Sequence, residues 1–422
     1  MLSRREMLAG MATAVAFRNE TLNLVERAVN SVSTRIDAED EAFWNQIQQA
    51  FTLDRNIVNF NNGGVAPSPR VVQDALRRYL EYSNQAPSYF MWRNLEPEVE
   101  NVRRRLAQTF GADPEEVAIT RNASEALENV LFGLPMSAGD EALTTLADYP
   151  RMITTLKQRE RRDGIKLVQV PVPTVPQSPR ELVHAVEGGI TDKTKLILVS
   201  QVSFMNGQIF PIRALTDLGR KHGIPVVVDG AHAFCQFPMS RDALGCDYYG
   251  TSLHKWLMAP IGTGMLVVRK EKIEGLWPLM AAADTQNKDI RKFEEIGTHP
   301  AANHNAIGEA LTFHEMIGVE RKAARFRYLR SRWANALQEE KNVVFHTNLN
   351  PDHSCALTNV EIQGIEPEKL AGWLLDKKGI FVTTVGAPTY KGIRVTPNVY
   401  TTLGEIDRFR EAMLEAARHG IG

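Results

Sequence analysis

The apolar residues between about positions 118 and 270 fall into short runs that alternate with stretches of helical spacing. The apolar runs, rich in Val, Ile, Leu and Thr, are strand candidates: VAIT (117–120), EALTTL (141–146), KLVQVPV (166–172), KLILVSQV (195–202), IPVVVD (224–229) and MLVVRK (265–270). The helix candidates between them are residues 122–133, 151–162, 179–188 and 213–222. This alternation predicts an α/β domain whose mostly parallel sheet is flanked by helices.

The pattern changes after Gly308. A long helical stretch over residues 309–340, with room for two helices, precedes CALTNVEIQG, PEKLAGWLLDKKG, IFVTTV, GIRVTPNVY and a final helix. This mixture predicts a smaller α+β domain at the C-terminus. The chain divides into residues 1–34, a candidate export signal and linker; 35–60, an N-terminal segment packed on the small domain; 61–305, the large domain; and 306–422, the small domain.

The composition is that of an ordinary globular protein. The 422 residues are 43% hydrophobic and 23% charged, with a net charge of -1, and this length suits two domains. The sequence has neither the basic, aromatic-interleaved run of a nucleic-acid binder nor the roughly 18 consecutive apolar residues of a membrane span. Cys235, Cys246 and Cys355 form no CxxC pair, so neither a disulfide framework nor a zinc site is predicted.

The N-terminus, MLSRREMLAGMATAVAF, resembles a twin-arginine export signal. Arg4 and Arg5 precede an apolar run from Met7 to Ala16, and residues 14–16 (AVA) would serve as a cleavage site. This pattern predicts export to the periplasm. The alternative is an amphipathic first helix that carries two arginines, in a protein of the cytoplasm.

The residues that follow the apolar runs are informative, because ligands of open α/β sheets bind beyond the carboxyl ends of the strands. Asp229 ends IPVVVD, and Tyr149 comes shortly after EALTTL. Residues 121–126, RNASEA, open a helix whose small side chains would leave N–H groups free for a phosphate. Each has an ordinary explanation too: a turn-capping carboxylate, a surface ring, and an N-cap by Asn122 or Ser124.

The segment DYYGTSLHKW (247–256) places Ser252, His254 and Lys255 close together. A lysine between a strand-like segment and the apolar WLM is expected in a partly dry place, where its pKa falls and Schiff-base chemistry becomes accessible. One cleft would then hold a phosphate site, a flat ring, a carboxylate and a lysine. These are the partners that pyridoxal 5'-phosphate needs for its phosphate, ring, pyridine nitrogen and aldehyde.

Several motifs resemble the class V, fold type I, pyridoxal-phosphate-dependent aminotransferase superfamily. They are VVVDGAHAF, GTSLHKWL with its lysine 26 positions after the aspartate, GTGMLVVRK, ITRNASEALENVL and GIRVTPNVYTT. The subgroup that they resemble is the isopenicillin N epimerase-like proteins, and the resemblance runs from about Val58 to Phe409. It implies a fold type I enzyme whose seven-stranded sheet lies in a cofactor-binding domain over residues 61–305.

The resemblance also implies roles for the candidate residues. Lys255 would form the Schiff base, Asp229 would partner the pyridine nitrogen, and His232 would lie near the ring hydroxyl. Tyr149 would stack on the ring. The phosphate would be bound by Ala123, Ser124, Ser252 and His254, and by Thr298 from the second subunit of a homodimer with shared sites.

On the substrate side, the resemblance implies that Arg394 binds a carboxylate and that Asn62 and Gly63 form an N-terminal loop. The chain departs from the family pattern at Gln201, where many relatives have histidine. The contacts of the loop from residue 201 to 207 therefore stay open.

The superfamily contains transaminases, epimerases, desulfurases, lyases and hydrolases, and in all of them the lysine released by the substrate amine is placed to move the α-proton. Desulfurases need a cysteine on the loop before the carboxylate-binding arginine. That loop, TVGAPTYKG (384–392), has none, which disfavours desulfuration. The prediction is an aminotransferase for a small amino-acid-like substrate, with an epimerase or a lyase as alternatives.

A nucleotide-binding oxidoreductase and a non-catalytic cofactor-binding protein are the alternatives from other classes. The sequence GTG at 262–264 lacks a third glycine at the required spacing, and no GxxxxGK[ST] is present. Neither dinucleotide nor P-loop binding is therefore predicted.

Overall fold

The computed structural model of the chain describes residues 20–31, 38–387 and 389–422. The strands are β1 (Val58–Asn59), β2 (Val117–Thr120), β3 (Glu141–Thr145), β4 (Lys166–Val170), β5 (Thr194–Ser200), β6 (Val226–Asp229), β7 (Tyr248–Ser252), β8 (Gly264–Val268), β9 (Val343–Phe345), β10 (Thr358–Ile362), β11 (Ile380–Phe381), β12 (Thr383–Ala387) and β13 (Tyr390–Val395). The candidate export signal at residues 1–19 lies outside the described residues, so export stays a prediction.

Helices surround these strands along the whole described chain. They are α1 (Glu20–Ser31), α2 (Glu41–Gln48), α3 (Arg70–Asn84), α4 (Pro87–Phe90), α5 (Glu96–Phe110), α6 (Ala123–Gly133), α7 (Pro150–Asp163), α8 (Pro179–Glu187), α9 (Ile212–His222), α10 (Arg241–Leu244), α11 (Lys270–Ile273), α12 (Ala301–Asn305), α13 (Ile307–Ile317), α14 (Val319–Leu337), α15 (Pro367–Lys378) and α16 (Leu403–His419). None of the described helices is long and apolar enough to cross a membrane.

A seven-stranded sheet forms the centre of the large domain. Its strands stand in the order β2-β8-β7-β6-β5-β3-β4. The pairs from β7 through β4 are parallel, and β8 runs antiparallel to both β2 and β7. The predicted α/β class with a mostly parallel sheet is confirmed. Six strands correspond to the six predicted apolar runs, and the seventh, β7, lies inside DYYGTSLHKW.

The central strands are buried on both faces, which explains their nearly continuous apolar sequence. Along β6, Val226 and Val228 pack into one hydrophobic cluster and Val227 packs into a second cluster. Successive side chains of a strand point to opposite faces, so the VVV run supplies both layers of the core. A run without alternation is therefore what a parallel strand between two helical layers requires.

The C-terminal part forms a four-stranded antiparallel sheet in the order β12-β13-β10-β9. Its core contains Trp333 and Phe409, whose ring centroids lie 5.1 Å apart in an edge-to-face arrangement. The predicted long helical stretch is two helices, α13 and α14, which are separated by Gly318 at φ +86°. Glycine adopts that conformation without the steric cost that other residues would have.

The described residues before position 61 contact the C-terminal region. Strand β1 pairs in parallel with β11, with Val58 opposite Ile380. The guanidinium of Arg325 lies 5.1 Å from the ring centre of Trp44 and also pairs with the Glu41 carboxylate. The boundaries of the four predicted parts of the chain stay a prediction.

Candidate active site

The carboxyl ends of β3, β5, β6 and β7 face a cleft of about 540 Å³. The start of α6 and side chains of β12 and β13 complete its walls. The predicted site residues that line it are Gly63, Ala123, Ser124, Tyr149, Asp229, His232, Ser252, His254, Lys255 and Arg394. The fold thus brings together residues from both predicted domains.

Lys255 lies in the turn after β7. Burial lowers the pKa of Lys255 to about 8, while the Asp229 carboxylate acts in the opposite direction and the Arg394 guanidinium lowers it further. Its Nζ lies 3.1 Å from Nε2 of His232. A sizeable fraction of Lys255 is therefore a neutral amine near pH 8, which is the form that attacks an aldehyde.

Asp229 is the last residue of β6 and is almost completely buried. Its Oδ1 accepts a hydrogen bond of 2.9 Å from the backbone N–H of Ala231. Burial raises the pKa of Asp229 to about 6, although the Ala231 N–H and the Lys255 ammonium both act to lower it. A cationic ring nitrogen across the cleft would stabilise this carboxylate through a charge-assisted hydrogen bond.

His232 has an unpaired ring nitrogen. Its Nε2 faces Lys255, whereas its Nδ1 is buried and has no hydrogen-bond partner among the described residues. Burial and the nearby cations Lys255 and Arg394 lower the pKa of His232 well below its usual value, so the ring is neutral. An unpaired buried group costs about 1–3 kcal/mol, so this position suits a polar ligand.

The start of α6 presents an anion site beside β7. Asn122 caps the helix by accepting a 2.9 Å hydrogen bond from Glu125 N, and Ala123 N donates to Ser252 Oγ at 3.0 Å. Gly264 on β8 permits the start of α6 to lie close to the sheet, because a Cβ at this position would lie 2.6 Å from the Asn122 backbone. The positive helix end and the Ser252 hydroxyl suit a phosphate.

His254 lines the same cleft as the start of α6 and Ser252. Its Nδ1 lies 3.0 Å from the Thr263 carbonyl oxygen, which leaves Nε2 for other contacts. Burial and the Lys255 ammonium lower the pKa of His254 to about 4. A bound phosphate would raise that pKa, because its negative charge stabilises the imidazolium, and Nε2 could then donate to it.

Arg394 lies at the small-domain side of the cleft. Its Nη1 donates to the Phe204 carbonyl oxygen at 3.0 Å and its Nη2 donates to Asn61 Oδ1 at 2.8 Å. Its Nε is buried and has no partner in the described parts of the chain. Burial lowers the pKa of Arg394 to about 10. A carboxylate ligand would give this guanidinium the negative partner that it lacks.

The family model described as Aminotransferase class-V matches residues 57–409. The chain belongs to the class V aminotransferases. Isopenicillin N epimerase from Streptomyces clavuligerus is 28% identical over 391 residues, which cover 88% of this chain and 98% of that protein. Hercynylcysteine sulfoxide lyase from Schizosaccharomyces pombe is 24% identical over 377 residues, which cover 84% of this chain and 95% of that protein. The predicted superfamily and the likeness to isopenicillin N epimerases are confirmed.

Solved structures share the fold of this class V chain. The apo structure of a cysteine desulfurase from Thermococcus onnurineus NA1 has a TM-score of 0.77 at 22% identity and covers 92% of this chain and 99% of its own. The cysteine desulfurase CsdA from Escherichia coli has a TM-score of 0.75 at 20% identity, with 88% and 98% covered. These similarities confirm the predicted fold.

Class V aminotransferases depend on pyridoxal 5'-phosphate, and this cleft fits that cofactor. The anion site at α6 matches its phosphate, the Asp229 carboxylate matches its ring nitrogen, and His232, whose Nδ1 is buried without a partner among the described residues, lines the same cleft. Lys255 supplies the amine. The predicted cofactor is therefore confirmed at the level of the family, with a set of residues that suits it.

The structure places Asn62 outside the cleft. Asn62 Nδ2 donates to the Thr396 carbonyl oxygen at 2.8 Å, and its Oδ1 accepts from the Tyr400 hydroxyl at 2.6 Å. The neighbouring Asn61 makes the contact with Arg394 instead. Asn61 forms an isolated β-bridge with Thr396, and Asn62 begins the turn that follows. The sequence identified this loop but not the asparagine that contacts Arg394.

The loop from residue 201 to 207 contributes an unpredicted cleft residue, Phe204. Gln201 and Asn206 instead form hydrogen bonds with other residues of the chain. The Gln201 Oε1 accepts from the Tyr249 hydroxyl at 3.2 Å, and Asn206 Nδ2 donates to the carbonyl oxygens of Thr174 and His346 at 2.9 and 3.0 Å. The sequence could not predict Phe204 as a cleft residue, because no motif marks this position and the loop could not be aligned with the family.

Thr298 lies away from the cleft of its own chain. It lines a separate cavity together with Glu295, His299 and His304. A contribution of Thr298 to the phosphate site would have to come from a second subunit, so the homodimer with shared sites stays a prediction.

Proposed function

We propose that the protein is a pyridoxal-phosphate-dependent aminotransferase that acts on an α-amino acid. The observation that carries the proposal is that Lys255 and Arg394 share one cleft. Arg394 offers a guanidinium with an unpaired Nε for the substrate carboxylate, and Lys255 offers an amine whose pKa is about 8. An α-amino acid has a carboxylate and an acidic α-proton on adjacent atoms, which matches this pair.

The surrounding residues would hold the cofactor. Asp229 would keep the ring nitrogen protonated, Tyr149 would cover the ring, and the start of α6 with Ser252 would bind the phosphate. When bound, pyridoxal phosphate withdraws electrons from the amine-bearing carbon of the substrate and weakens its C–H bond.

Lys255 would move the proton at the substrate α-carbon. Its pKa of about 8 allows it to accept a proton as an amine and to return it as an ammonium near neutral pH. Among the described residues that line the cleft, Lys255 is the only lysine. One lysine that both accepts and returns the proton suits a reaction in which the proton leaves and returns on the same face.

The cysteines do not support a desulfurase. Cys235, Cys246 and Cys355 are all buried, and burial raises their pKa values to about 12, 12 and 11. A persulfide-forming cysteine needs an accessible thiolate, which these positions do not provide. Neither β12 nor β13 contains a cysteine.

Epimerisation is the second candidate. The isopenicillin N epimerases from Streptomyces clavuligerus and Amycolatopsis lactamdurans are each 28% identical to this chain and align over 98% and 99% of their lengths. An epimerase returns the proton to the α-carbon on the opposite face. Tyr149, which lines the cleft, would supply a hydroxyl for that second proton transfer.

Mass spectrometry of amino acids incubated with the enzyme in heavy water separates the two reactions. An aminotransferase converts the amino acid to its keto acid and transfers the amine to a second keto acid, which becomes an amino acid. An epimerase gives the same amino acid with deuterium at the α-carbon and mixed chirality. Lys255→Ala is the control that should stop both reactions. If no amino acid is converted, exchanged or bound, the proposal fails.

A further inference from the structure

A smaller cavity of about 50 Å³ adjoins the active-site cleft. Three chain segments line both spaces, and they supply Leu146, Ala147, Ser203, Met205 and Ala387 to the cavity and Tyr149, Phe204 and Val385 to the cleft. At the boundary, Tyr149 and Phe204 meet edge to face with ring centroids 5.2 Å apart. This side pocket therefore lies next to the cleft, on the other side of the Tyr149–Phe204 pair.

The side pocket is uncharged and mainly apolar. Aliphatic, proline and aromatic side chains such as Leu146, Val172 and Phe210 form much of its lining, and none of the described residues that line it is charged. An isolated charge would pay a large desolvation cost in such a place, whereas a neutral group would not. The chemistry of the walls thus selects a neutral, largely apolar occupant.

Gln208 gives the side pocket one specific polar feature. The residue is 2% exposed, and its Nε2 donates to the Ile209 carbonyl oxygen at 2.9 Å. Its Oε1 is buried and has no hydrogen-bond partner in the described segments. Buried acceptors are nearly always paired in native proteins, so this oxygen calls for a donor from outside the chain.

We infer that the side pocket binds the end of the substrate side chain, and that the substrate is an α-amino acid whose side chain ends in a neutral hydrogen-bond donor, a hydroxyl or an amide. This inference rests on the proposed function. Arg394 Nη1 donates to the Phe204 carbonyl oxygen, so a substrate held by Arg394 lies beside the entrance to the side pocket. A volume of about 50 Å³ holds one or two water-sized groups.

The first test compares substrates of one chain length with different ends. The probes are norleucine, 6-hydroxynorleucine, lysine and 2-aminoadipate, with alanine as the short reference and with shorter and longer hydroxy homologues. The inference predicts that kcat/KM is highest for a hydroxyl-ended member, about tenfold above its methyl-ended analogue, because one buried hydrogen bond is gained. Lysine and 2-aminoadipate should be poorer than both.

Two variants test whether the preference for hydroxyl-ended substrates depends on the side pocket. Gln208→Leu keeps the approximate volume and removes the acceptor, so the ratio of kcat/KM between the hydroxyl-ended and methyl-ended substrates should fall about tenfold. Thr174→Trp fills the side pocket and should reduce the ratio between long and short substrates at least tenfold. Val175→Trp, the same change at a neighbouring exposed residue outside the lining, should leave both ratios unchanged.

The outcomes separate the two proposals. If amino acids react but neither variant alters the two ratios, the side-pocket inference is overturned and the proposed function stands. If no probe reacts or changes the absorbance of the bound cofactor, both are overturned. Circular dichroism and thermal unfolding of each variant show that a lost preference is not a lost fold.

Discussion

Lys255 and Asp229 each shift the pKa of the other, and Lys255 also lowers the pKa of His232, because the three residues share one buried space. The ammonium of Lys255 is disfavoured by burial and supported by the Asp229 carboxylate. His232 stays neutral because burial and the nearby cations Lys255 and Arg394 lower its pKa well below the usual value. The charges of Lys255 and Asp229 are therefore coupled, and changing either residue should move the pKa of the other.

The pH dependence of cofactor attachment follows from the lowered pKa of Lys255. Attachment needs the neutral amine, so its rate should rise with pH, about tenfold per unit below pH 8, and level off above it. In Asp229→Asn the carboxylate that supports the ammonium is gone, so the midpoint should move to lower pH. Stopped-flow absorbance of cofactor-free protein mixed with pyridoxal phosphate measures both. A midpoint near 10.5, the usual lysine value, would contradict the account.

Asp229 should also matter to turnover. Asp229→Asn keeps the shape and removes the charge that would hold the ring nitrogen protonated. We expect the cofactor to remain bound and kcat to fall by about 10²- to 10⁴-fold, the range for losing a positioned charge or proton-transfer group. Steady-state kinetics with a spectrum of the bound cofactor tests this. Near-normal turnover would refute the role of Asp229.

At the scale of helices and strands, the close packing of α6 on β7 and β8 shapes the anion site. A Cβ at Gly264 would lie 2.6 Å from the Asn122 backbone, which has no flexible end to move aside. Gly264→Ala should therefore displace the start of α6, lower the free energy of unfolding by about 1–3 kcal/mol and weaken pyridoxal phosphate binding.

The matched control for Gly264→Ala is Gly372→Ala. Gly372 lies inside α15, and a Cβ there would meet no atom within 4 Å. This substitution should raise the free energy of unfolding by up to about 1 kcal/mol through helix propensity and leave cofactor affinity unchanged. Urea denaturation and cofactor titration of both variants provide the comparison. Equal cofactor affinity in the two variants would show that the anion site does not depend on this packing.

The elements of the large domain could be predicted because their signals are local. The VVV run of β6 is apolar on both faces, and Asp229 ends it at the edge where ligands bind. The contacts of Arg394 with Asn61 and Phe204 join residues 333 and 190 positions apart, and they depend on how β13 and two loops are packed. No periodicity in the sequence encodes such contacts, which is why Phe204 and the choice between Asn61 and Asn62 could not be predicted.

At the scale of the whole molecule, the homodimer with shared sites is a prediction that would explain why Thr298 lies away from the cleft of its own chain. In one chain this residue lines a cavity separate from the cleft. If Thr298 reaches the phosphate site of the other subunit, then Lys255→Ala and Thr298→Asp should complement each other. A mixed dimer would contain one site with both native residues.

Complementation is measured by refolding the two variants together. A one-to-one mixture should recover about a quarter of wild-type activity, because half of the dimers are mixed and each has one intact site. Each variant refolded alone is the control and should remain inactive. Absence of recovery in a mixture that does form mixed dimers would rule out the sharing of sites through Thr298.

Every role proposed for the cleft residues requires that Lys255 carries pyridoxal phosphate. Borohydride treatment of the cofactor-loaded protein, followed by proteolysis and mass spectrometry, tests it most directly. We expect a yellow protein that loses its colour on reduction, with the cofactor fixed on the peptide that contains Lys255. Lys255→Ala should fold, as judged by circular dichroism, and carry no fixed cofactor. Cofactor fixed at another lysine, or no fixed cofactor in the wild-type protein, would contradict the account.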